Sequence, residues 1–114
     1  MHRMFEIRTR QLMAAKVTDQ EAIGRRLRAA RRVVKLRQKD LADICGTTPS
    51  AVVNWETGTR RLGLSHAAML LPRLGVTLDW LYLADDRGLS WEQREELAAA
   101  LAKTPLAAGD DIAA

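Results

Sequence analysis

One short stretch of the chain carries side chains suited to recognition. Four small or medium residues without charge fall within eight positions: Ser50, Val53, Asn54 and Thr57. At 100° per residue they share one face of a helix, while Val52 and Trp55 lie on the opposite face. Hydroxyl, amide and methyl groups on short side chains suit close approach to base edges in the major groove of DNA. An ordinary solvent-exposed face is the alternative interpretation.

The residue types that carry most enzymatic and metal chemistry are scarce. The chain has one cysteine, Cys45, and two histidines, His2 and His66. A single cysteine excludes an intrachain disulfide and a cysteine-based zinc site, which fits a reducing compartment. The sequence has no glycine-rich phosphate loop and no nucleophile beside a base. His66 is interpreted as a surface or capping-turn residue rather than a catalytic one. We therefore expect no enzymatic activity, no metal and no cofactor.

Length and composition indicate one small folded domain. The chain has 114 residues, of which 47% are hydrophobic and 28% charged, an ordinary balance for a globular domain. No apolar run approaches the roughly 20 residues needed to cross a bilayer. Residues 1–16 carry Arg and Glu where a signal peptide would be apolar. These features predict a cytoplasmic protein that does not contact a membrane.

The charge of the chain is unevenly distributed. Residues 1–61 contain 14 Lys and Arg against 6 Asp and Glu, whereas residues 62–114 contain 4 against 8. This asymmetry indicates a polyanionic partner for the N-terminal half. Arginine-rich helix faces that are merely solvated explain the charge equally well.

Capping residues and hydrophobic spacing predict an all-α chain. A first helix starts at Asp19 and turns an apolar stripe inward, formed by Ile23, Leu27, Ala30 and Val34. Arg26 and Arg31 flank this stripe, whereas Arg25, Arg28, Arg32 and Lys35 point away from it. Five further helices are predicted to end near residues 45, 57, 74, 83 and 103, with Pro72 kinking or shortening the third of these five. Their capping residues are Thr48 with Pro49, Ser65, Thr77, and Ser90 with Gln93.

The second and third helices have the residue spacing of a helix-turn-helix. With Gln38 as the first position, such a unit needs a small fifth residue, a ninth residue with positive φ, and buried apolar residues at the fifteenth and eighteenth positions. The sequence supplies Ala42, Gly46, Val52 and Trp55 there. Each of these is a routine core residue by itself. Together they predict that the polar face of the third helix is directed outwards.

The segment from Ile23 to Asp85 resembles the helix-turn-helix domains of the λ repressor and Cro family, also called Xre-type. Four stretches carry the resemblance, in the order typical of the family: IGRRLRAARR at 23–32, RQKDLADICGTT at 37–48, AVVNWETG at 51–58 and LGVTLDWL at 74–81. They span somewhat more than half of the chain. The resemblance implies a compact bundle of five helices that binds DNA through its third helix, with a further C-terminal helix here.

The resemblance also implies roles for individual residues. The base-reading positions of the family fall on Thr48, Pro49, Ser50, Val53 and Asn54. Contacts to DNA phosphates fall on Gln38, Thr57, Arg60 and Arg61. In family members an arginine of the first helix and a glutamate of the third form a buried structural pair, which corresponds to Arg31 and Glu56 here.

The sequence departs from the family in three places. Pro49 stands where well-known members often have Gln, so Asn54 becomes the best candidate for a bidentate contact to adenine. Ser50 is expected to accept more than one base, and Val53 is expected to contact a thymine methyl group. Lys35 stands where the family usually has Gly, which predicts a different turn between the first two helices. The loop over 59–64 is about one residue longer than in close relatives and lacks their proline.

The leading interpretation is a bacterial or phage transcriptional regulator, in the first place a repressor, that binds double-stranded operator DNA as a homodimer. The alternative is an antitoxin-like protein that neutralises a protein partner and regulates its own expression through DNA binding. A weakly amphipathic face near the C-terminus, formed by Trp91, Leu97, Ala98 and Leu101, could bind such a partner, dimerise or fold back on the core, and we favour the last two. The expected organisation is a basic arm over 1–17, a DNA-binding domain over 18–86, a C-terminal helix over 87–104 and a flexible tail over 105–114.

Overall fold

A computed structural model describes residues 18–105 of the chain. The basic arm expected over 1–17, and the expected tail beyond residue 105, lie outside this part. Six helices occur between these limits: α1 (Gln20–Val33), α2 (Gln38–Cys45), α3 (Pro49–Thr57), α4 (Leu64–Leu74), α5 (Leu78–Leu83) and α6 (Trp91–Ala102). Residues 18–105 contain no strand, so the all-α prediction is confirmed.

Most helix boundaries follow the capping residues that the sequence offers. The Asp19 carboxylate accepts the Ala22 N–H at 2.8 Å and starts α1. Thr48 and Thr77 cap α3 and α5 in the same way, and Ser90 with Gln93 forms the predicted capping box of α6. Gly46 ends α2 in the left-handed conformation, at φ 65°. Local hydrogen-bonding chemistry therefore sets where these helices begin and end.

Helix α4 differs from its predicted form at both ends. Gly63, rather than Ser65, is its N-cap, because Gly63 takes the extended conformation (φ −77°, ψ 160°) and Leu64 is already helical. Pro72 lies inside α4, yet the helix continues to Leu74. Pro72 has no N–H to donate to the Ala68 carbonyl, but the helix ends only two residues later, before the Gly75 C-cap, so Pro72 does not shorten it.

The end of α1 also differs from the prediction. Val34 is not an inward residue but the C-cap of α1, and it is exposed. Lys35 follows with a positive φ of 59°, and its N–H donates to the Arg32 carbonyl at 3.0 Å. A lysine in this conformation bears a steric strain that a glycine would avoid. Lys35 therefore adopts the conformation of the glycine that the family usually has here, at the cost of backbone strain.

Helix α1 lies at the centre of the bundle, between α3 on one side and α6 on the other. Ile23, Leu27 and Ala30 are buried in its core-facing stripe. The helix-turn-helix residues join the same core: Ala42, Val52 and Trp55 are all buried. These burial predictions are confirmed, and they leave the opposite face of α3 free.

The closest approach of α1 and α3 occurs at Gly24. A Cβ atom placed on Gly24 would lie 2.2 Å from the Trp55 carbonyl oxygen and 2.7 Å from that of Glu56. Both neighbours are backbone atoms, which cannot rotate away as a side chain can. Gly24 thus allows direct backbone contact between the two helices, a role that the sequence analysis missed.

A buried ion pair joins the same two helices. Arg31 Nε lies 2.6 Å from Glu56 Oε2, and Arg31 Nη2 lies 3.0 Å from Oε1, with both side chains at most 3% exposed. Gln38 Nε2 donates to Glu56 Oε1 at 3.0 Å and so brings the first residue of α2 into the network. Arg31 Nη1 donates to the Leu36 carbonyl. The predicted Arg31–Glu56 pair is confirmed, and it links three helices.

Two other arginines of α1, Arg25 and Arg28, were predicted to point away from the apolar stripe, but they are not free on the surface. Arg28 is buried. Arg25 is half-buried and donates from Nε to the Thr104 carbonyl at 2.5 Å and from Nη2 to the Leu101 carbonyl at 2.6 Å. The reason is the packing of α6 across α1, because the carbonyls at the C-terminal end of a helix need donors and favour a cation.

Part of the amphipathic face of α6 folds back on the core. Leu97 is buried in the core cluster and Leu101 packs against it. Trp91, by contrast, is 70% exposed, and Ala98 is exposed as well. Folding back therefore accounts for two of the four residues of this face and leaves the other two in contact with solvent.

We predict that Gly24→Ala destabilises the domain by about 2 to 3 kcal/mol, because the added methyl group must separate two helix backbones. Urea unfolding followed by circular dichroism measures the change. Gly88→Ala is the matched control, since a Cβ there meets only Thr77 Cγ2 at 3.4 Å, an ordinary contact. Equal stability of the two variants would contradict the close approach of α1 and α3.

We predict that Arg31→Met alone lowers the free energy of unfolding by about 3 to 5 kcal/mol, because it leaves the Glu56 carboxylate buried without its cation. The double variant Arg31→Met with Glu56→Leu should be less destabilised than Arg31→Met, because it removes both charges. The same urea titration compares the wild-type protein, Arg31→Met, Glu56→Leu and the double variant. A double variant that shows the sum of the two single losses would refute this coupling.

Candidate nucleic-acid interface

The outward face of α3 is a candidate nucleic-acid interface. Val52, Trp55 and Glu56 turn into the protein, and the side chains on the other side reach solvent. Ser50 and Val53 are exposed, and Asn54 and Thr57 are half-buried. The structure therefore brings these four predicted residues together on one surface. None of them is charged, so the helix can approach a polyanion without a carboxylate in the way.

Asn54 and Ser50 have free hydrogen-bonding groups. Within residues 18–105, neither the Asn54 amide nor the Ser50 hydroxyl makes a hydrogen bond. The backbone carbonyl of Asn54 is used instead, as it accepts the Arg60 N–H at 3.0 Å. The Asn54 side chain thus has both a donor and an acceptor available, as a bidentate contact to adenine requires.

The other predicted contact residues on α3 are partly engaged inside the protein. Thr48 Oγ1 accepts the Ala51 N–H at 3.2 Å as the helix cap, which leaves its hydroxyl hydrogen free. Pro49 is exposed at the first helical position. Thr57 Oγ1 donates to the Val53 carbonyl at 3.0 Å and lies 2.9 Å from Thr59 Oγ1. A phosphate contact from Thr57 would have to compete with these bonds.

The start of α2 offers donors beside this face. One hydrogen of Gln38 Nε2 goes to Glu56, and the second is free to reach a phosphate. In the described part of the chain, the backbone N–H groups of Gln38 and Lys39 have no acceptor. Such groups at a helix N-terminus suit anions. The position predicted for Gln38 is therefore compatible with both a structural bond and a phosphate contact.

Arg37 and Asp40 shape the electrostatics at the start of α2. Asp40 accepts the Arg37 N–H at 2.8 Å and lies 3.2 Å from its Nη2. The hydrogen bonds from Arg37 hold the pKa of the Asp40 carboxyl below its usual value, and the same pairing raises the pKa of Arg37. The one carboxylate in the first turn of α2 is thus accompanied by a cation. The sequence analysis did not identify this pair.

The loop after α3 is held at both ends. Gln20 Nε2 donates to the Gly58 carbonyl at 2.7 Å, and the Tyr82 hydroxyl donates to the carbonyl of the buried Leu62 at 2.6 Å. Burial raises the pKa of Tyr82, which keeps this hydroxyl protonated. Arg60 and Arg61, between these anchors, are both exposed. Arg61 Nη1 lies 3.4 Å from the Thr18 carbonyl.

The basic charge available to a partner is smaller than the composition suggests. Arg26, Arg28 and Arg31 are buried, and Arg25 caps the end of α6. The exposed cations of the N-terminal half among residues 18–61 are Lys35, Arg37, Lys39, Arg60 and Arg61. The structural role of Arg31 was predicted, but neither interpretation of the charge asymmetry anticipated that Arg25, Arg26 and Arg28 are also withdrawn from the surface.

The interface is supported from behind by an aromatic contact that the sequence analysis did not foresee. The His66 ring lies 4.9 Å from that of Trp55, at 37°. His66 is half-buried in the first turn of α4, which agrees with its interpretation as a capping-turn residue rather than an exposed surface residue. The Cys45 thiol faces the His66 carbonyl at 3.8 Å. Burial raises the pKa of this thiol, which keeps it protonated and unreactive.

Neither a metal cluster nor a membrane-spanning helix occurs in the part of the chain that the structure describes. Residues 18–105 contain no group of three or more side chains that could hold a metal ion. Within the same residues, no helix is both long and apolar enough to cross a membrane.

Comparison with protein families identifies the domain. A family model described as helix-turn-helix matches residues 27–81, which include all of α2, α3 and α4 and parts of α1 and α5. Comparison with curated proteins and with solved structures gives no match. The matched segment is the one that holds the buried Arg31–Glu56 pair and the outward face of α3. Residues 27–81, slightly less than half of the chain, therefore match the λ-repressor-like, Xre-type helix-turn-helix family, and this similarity supports a DNA-binding regulator.

Proposed function

We propose that this protein is a sequence-specific regulator of transcription that inserts α3 into the major groove of operator DNA. The observation that carries the proposal is the outward face of α3. There the polar groups of Asn54 and Ser50 have no partner among residues 18–105, while Trp55 and Glu56 hold the opposite face in the core. A rigid helix with unengaged donors and acceptors is what direct reading of base pairs needs.

Each residue of the face has a proposed contact. Asn54 reads adenine through two hydrogen bonds, and Ser50 accepts more than one base. Val53 packs against a thymine methyl group, Pro49 makes apolar contact only, and the free hydroxyl hydrogen of Thr48 donates to a base or a neighbouring phosphate. Thr57 lies at the far end of the helix, where its side chain approaches the backbone of the DNA.

Contacts to phosphates would flank α3 on two sides. On one side are the Gln38 amide and the free N–H groups at the start of α2. On the other side are Arg60 and Arg61, which the anchored loop holds next to the end of α3. Residues 1–17 join the domain at Thr18, beside Arg61, and they carry four Lys and Arg against one Glu. Such contacts provide position and affinity, and the face of α3 provides specificity.

Repression through a homodimer is the form of regulation that we propose. A two-fold symmetric dimer would place two copies of α3 about one helical turn, roughly 34 to 36 Å, apart on the DNA. Large apolar side chains on α4 and α5 are exposed and supply surface for self-association: Leu64, Met69, Leu78 and Leu83. By occupying an operator, such a dimer would exclude other proteins from the same DNA.

An antitoxin-like protein is the second candidate function. The observation that favours it is Trp91, which is 70% exposed at the start of α6. Exposed tryptophan is typical of protein interfaces rather than of free surface. Copurification of a neighbouring toxin with this protein would favour the second candidate, and binding to DNA alone would favour the first.

We predict that Asn54→Ala and Ser50→Ala each weaken binding to the selected DNA sequence by about 1 to 3 kcal/mol for every hydrogen-bonded base that the side chain no longer reaches. Binding to scrambled DNA should change little, because neither side chain is expected to contact phosphate. Fluorescence anisotropy with both DNAs measures the affinities, and circular dichroism confirms that the variants fold. An equal loss on both DNAs would exclude a base-reading role.

We predict that Arg60→Ala with Arg61→Ala weakens binding to specific and non-specific DNA alike. Removal of each phosphate contact should flatten the plot of log K against log salt concentration by about 0.9. The control neutralises Arg87 and Lys103, which are also exposed but lie before and after α6, with Arg87 paired to Asp85. A slope that is unchanged in the first variant, or reduced equally in the control, would mean that this loop does not contact DNA.

A further inference from the structure

A groove lies on the side of α1 away from α3. It has a volume of about 420 Å³ and is formed by α1, the end of α5 with the loop that follows, and α6. Pockets that bind small molecules commonly have volumes of about 300 to 1,000 Å³. No residue of α2, of α3 or of the loop between α3 and α4 lines it. The groove is therefore separate from the candidate interface with DNA.

The floor of the groove is apolar. Trp80 and Leu97 are both largely buried members of the core, and each still contributes to the wall of the groove. Leu101 and Ala98 extend this surface along α6. A planar or aliphatic body of a ligand would lose water against these side chains, which is favourable.

Cations line the groove beside this floor. Arg25 donates to the carbonyls of Leu101 and Thr104, and Arg94 donates to the carbonyls of Asp86 and Arg87. Within residues 18–105, neither guanidinium forms an ion pair with a carboxylate. Carbonyl groups satisfy hydrogen bonds but do not cancel the charge.

A third cation, Arg26, is 6% exposed and also lines the groove. Burial lowers the pKa of Arg26 to about 10, while Asp19 acts in the opposite direction. The groove contains one carboxylate, that of the exposed Asp86. The neighbouring Asp85 is paired with Arg87 at 2.7 Å, and Arg94 adds only a smaller contribution to the lowering of the Asp85 pKa. Arg25 and Arg94 outnumber the one lining carboxylate and give the groove a positive potential next to a dry surface.

We propose that this groove binds a small organic anion, in which a carboxylate, sulfonate or phosphate group lies against Arg25 and Arg94 and an apolar body lies against Trp80 and Leu97. Both features are required, because the arginines select the charge and the floor selects an apolar body over a free inorganic ion. The inference goes beyond DNA binding and does not depend on the function proposed above.

A pair of fluorescent probes tests both requirements. 8-Anilinonaphthalene-1-sulfonate has an anionic group on an aromatic body, and N-phenyl-1-naphthylamine is the same body without the sulfonate. The sulfonate should bind the full-length protein with one site and at least fivefold more tightly than the neutral probe. Inorganic phosphate should displace it less effectively than benzoate at the same concentration. Absence of binding, equal affinity for the two probes, or equal displacement by phosphate and benzoate would overturn the proposal.

Two variants of α6 locate the probe. Ala98→Glu places a carboxylate in the groove, four residues after Arg94, and should lower the affinity for the sulfonate at least fivefold. Ala99→Glu is the matched control, because Ala99 is an exposed alanine on the same helix that does not line this groove. Circular dichroism checks that both variants fold, and the affinity of the control should stay within twofold of the wild-type value. An unchanged affinity in Ala98→Glu, or an equal loss in the control, would place the probe elsewhere and reject the groove.

Discussion

The buried ion pair between Arg31 and Glu56 is the interaction on which the position of α3 depends. It joins α1 to α3 through two hydrogen bonds, and Gln38 connects α2 to the same carboxylate. Gly24 lies two helical turns before Arg31 on α1 and lets the backbones of α1 and α3 touch. Because all of these contacts are made by the inner side of α3, its outer side can keep unengaged polar groups for a partner. The structural and recognition roles of α3 are thus divided between its two faces.

The arginines of α1 show that basic composition is an incomplete guide to a nucleic-acid surface. Arg31 is committed to Glu56, and Arg25 to the end of α6. These cations hold helices together, so the surface that faces DNA in our proposal relies on a few exposed cations near the ends of α2 and α3. Arg25 also contributes positive potential to the groove beside α6. A count of basic residues alone would have assigned this charge to DNA binding.

Features of the fold that depend on neighbouring residues could be predicted from the sequence, and features that depend on distant packing could not. Thr48, Gly46 and Ser90 mark helix boundaries through bonds to residues at most four positions away, so a local pattern suffices. The burial of Arg25 results from contacts to carbonyls 76 and 79 residues away, and the stacking of His66 on Trp55 also joins two helices. No spacing rule reveals such contacts. The outward direction of Ser50 and Asn54 could be derived, since Val52 and Trp55 fix the inner face, but their base contacts depend on DNA and stay predictions.

Selection of bound duplexes from a random DNA pool tests the central claim most directly, namely that the outward face of α3 reads sequence. The account predicts enrichment of one motif with two-fold symmetric half-sites whose centres are about 10 to 10.5 base pairs apart, with an adenine at a fixed position in each half-site. Retention of DNA without enrichment of any motif would contradict it, because binding would then rest on phosphates alone.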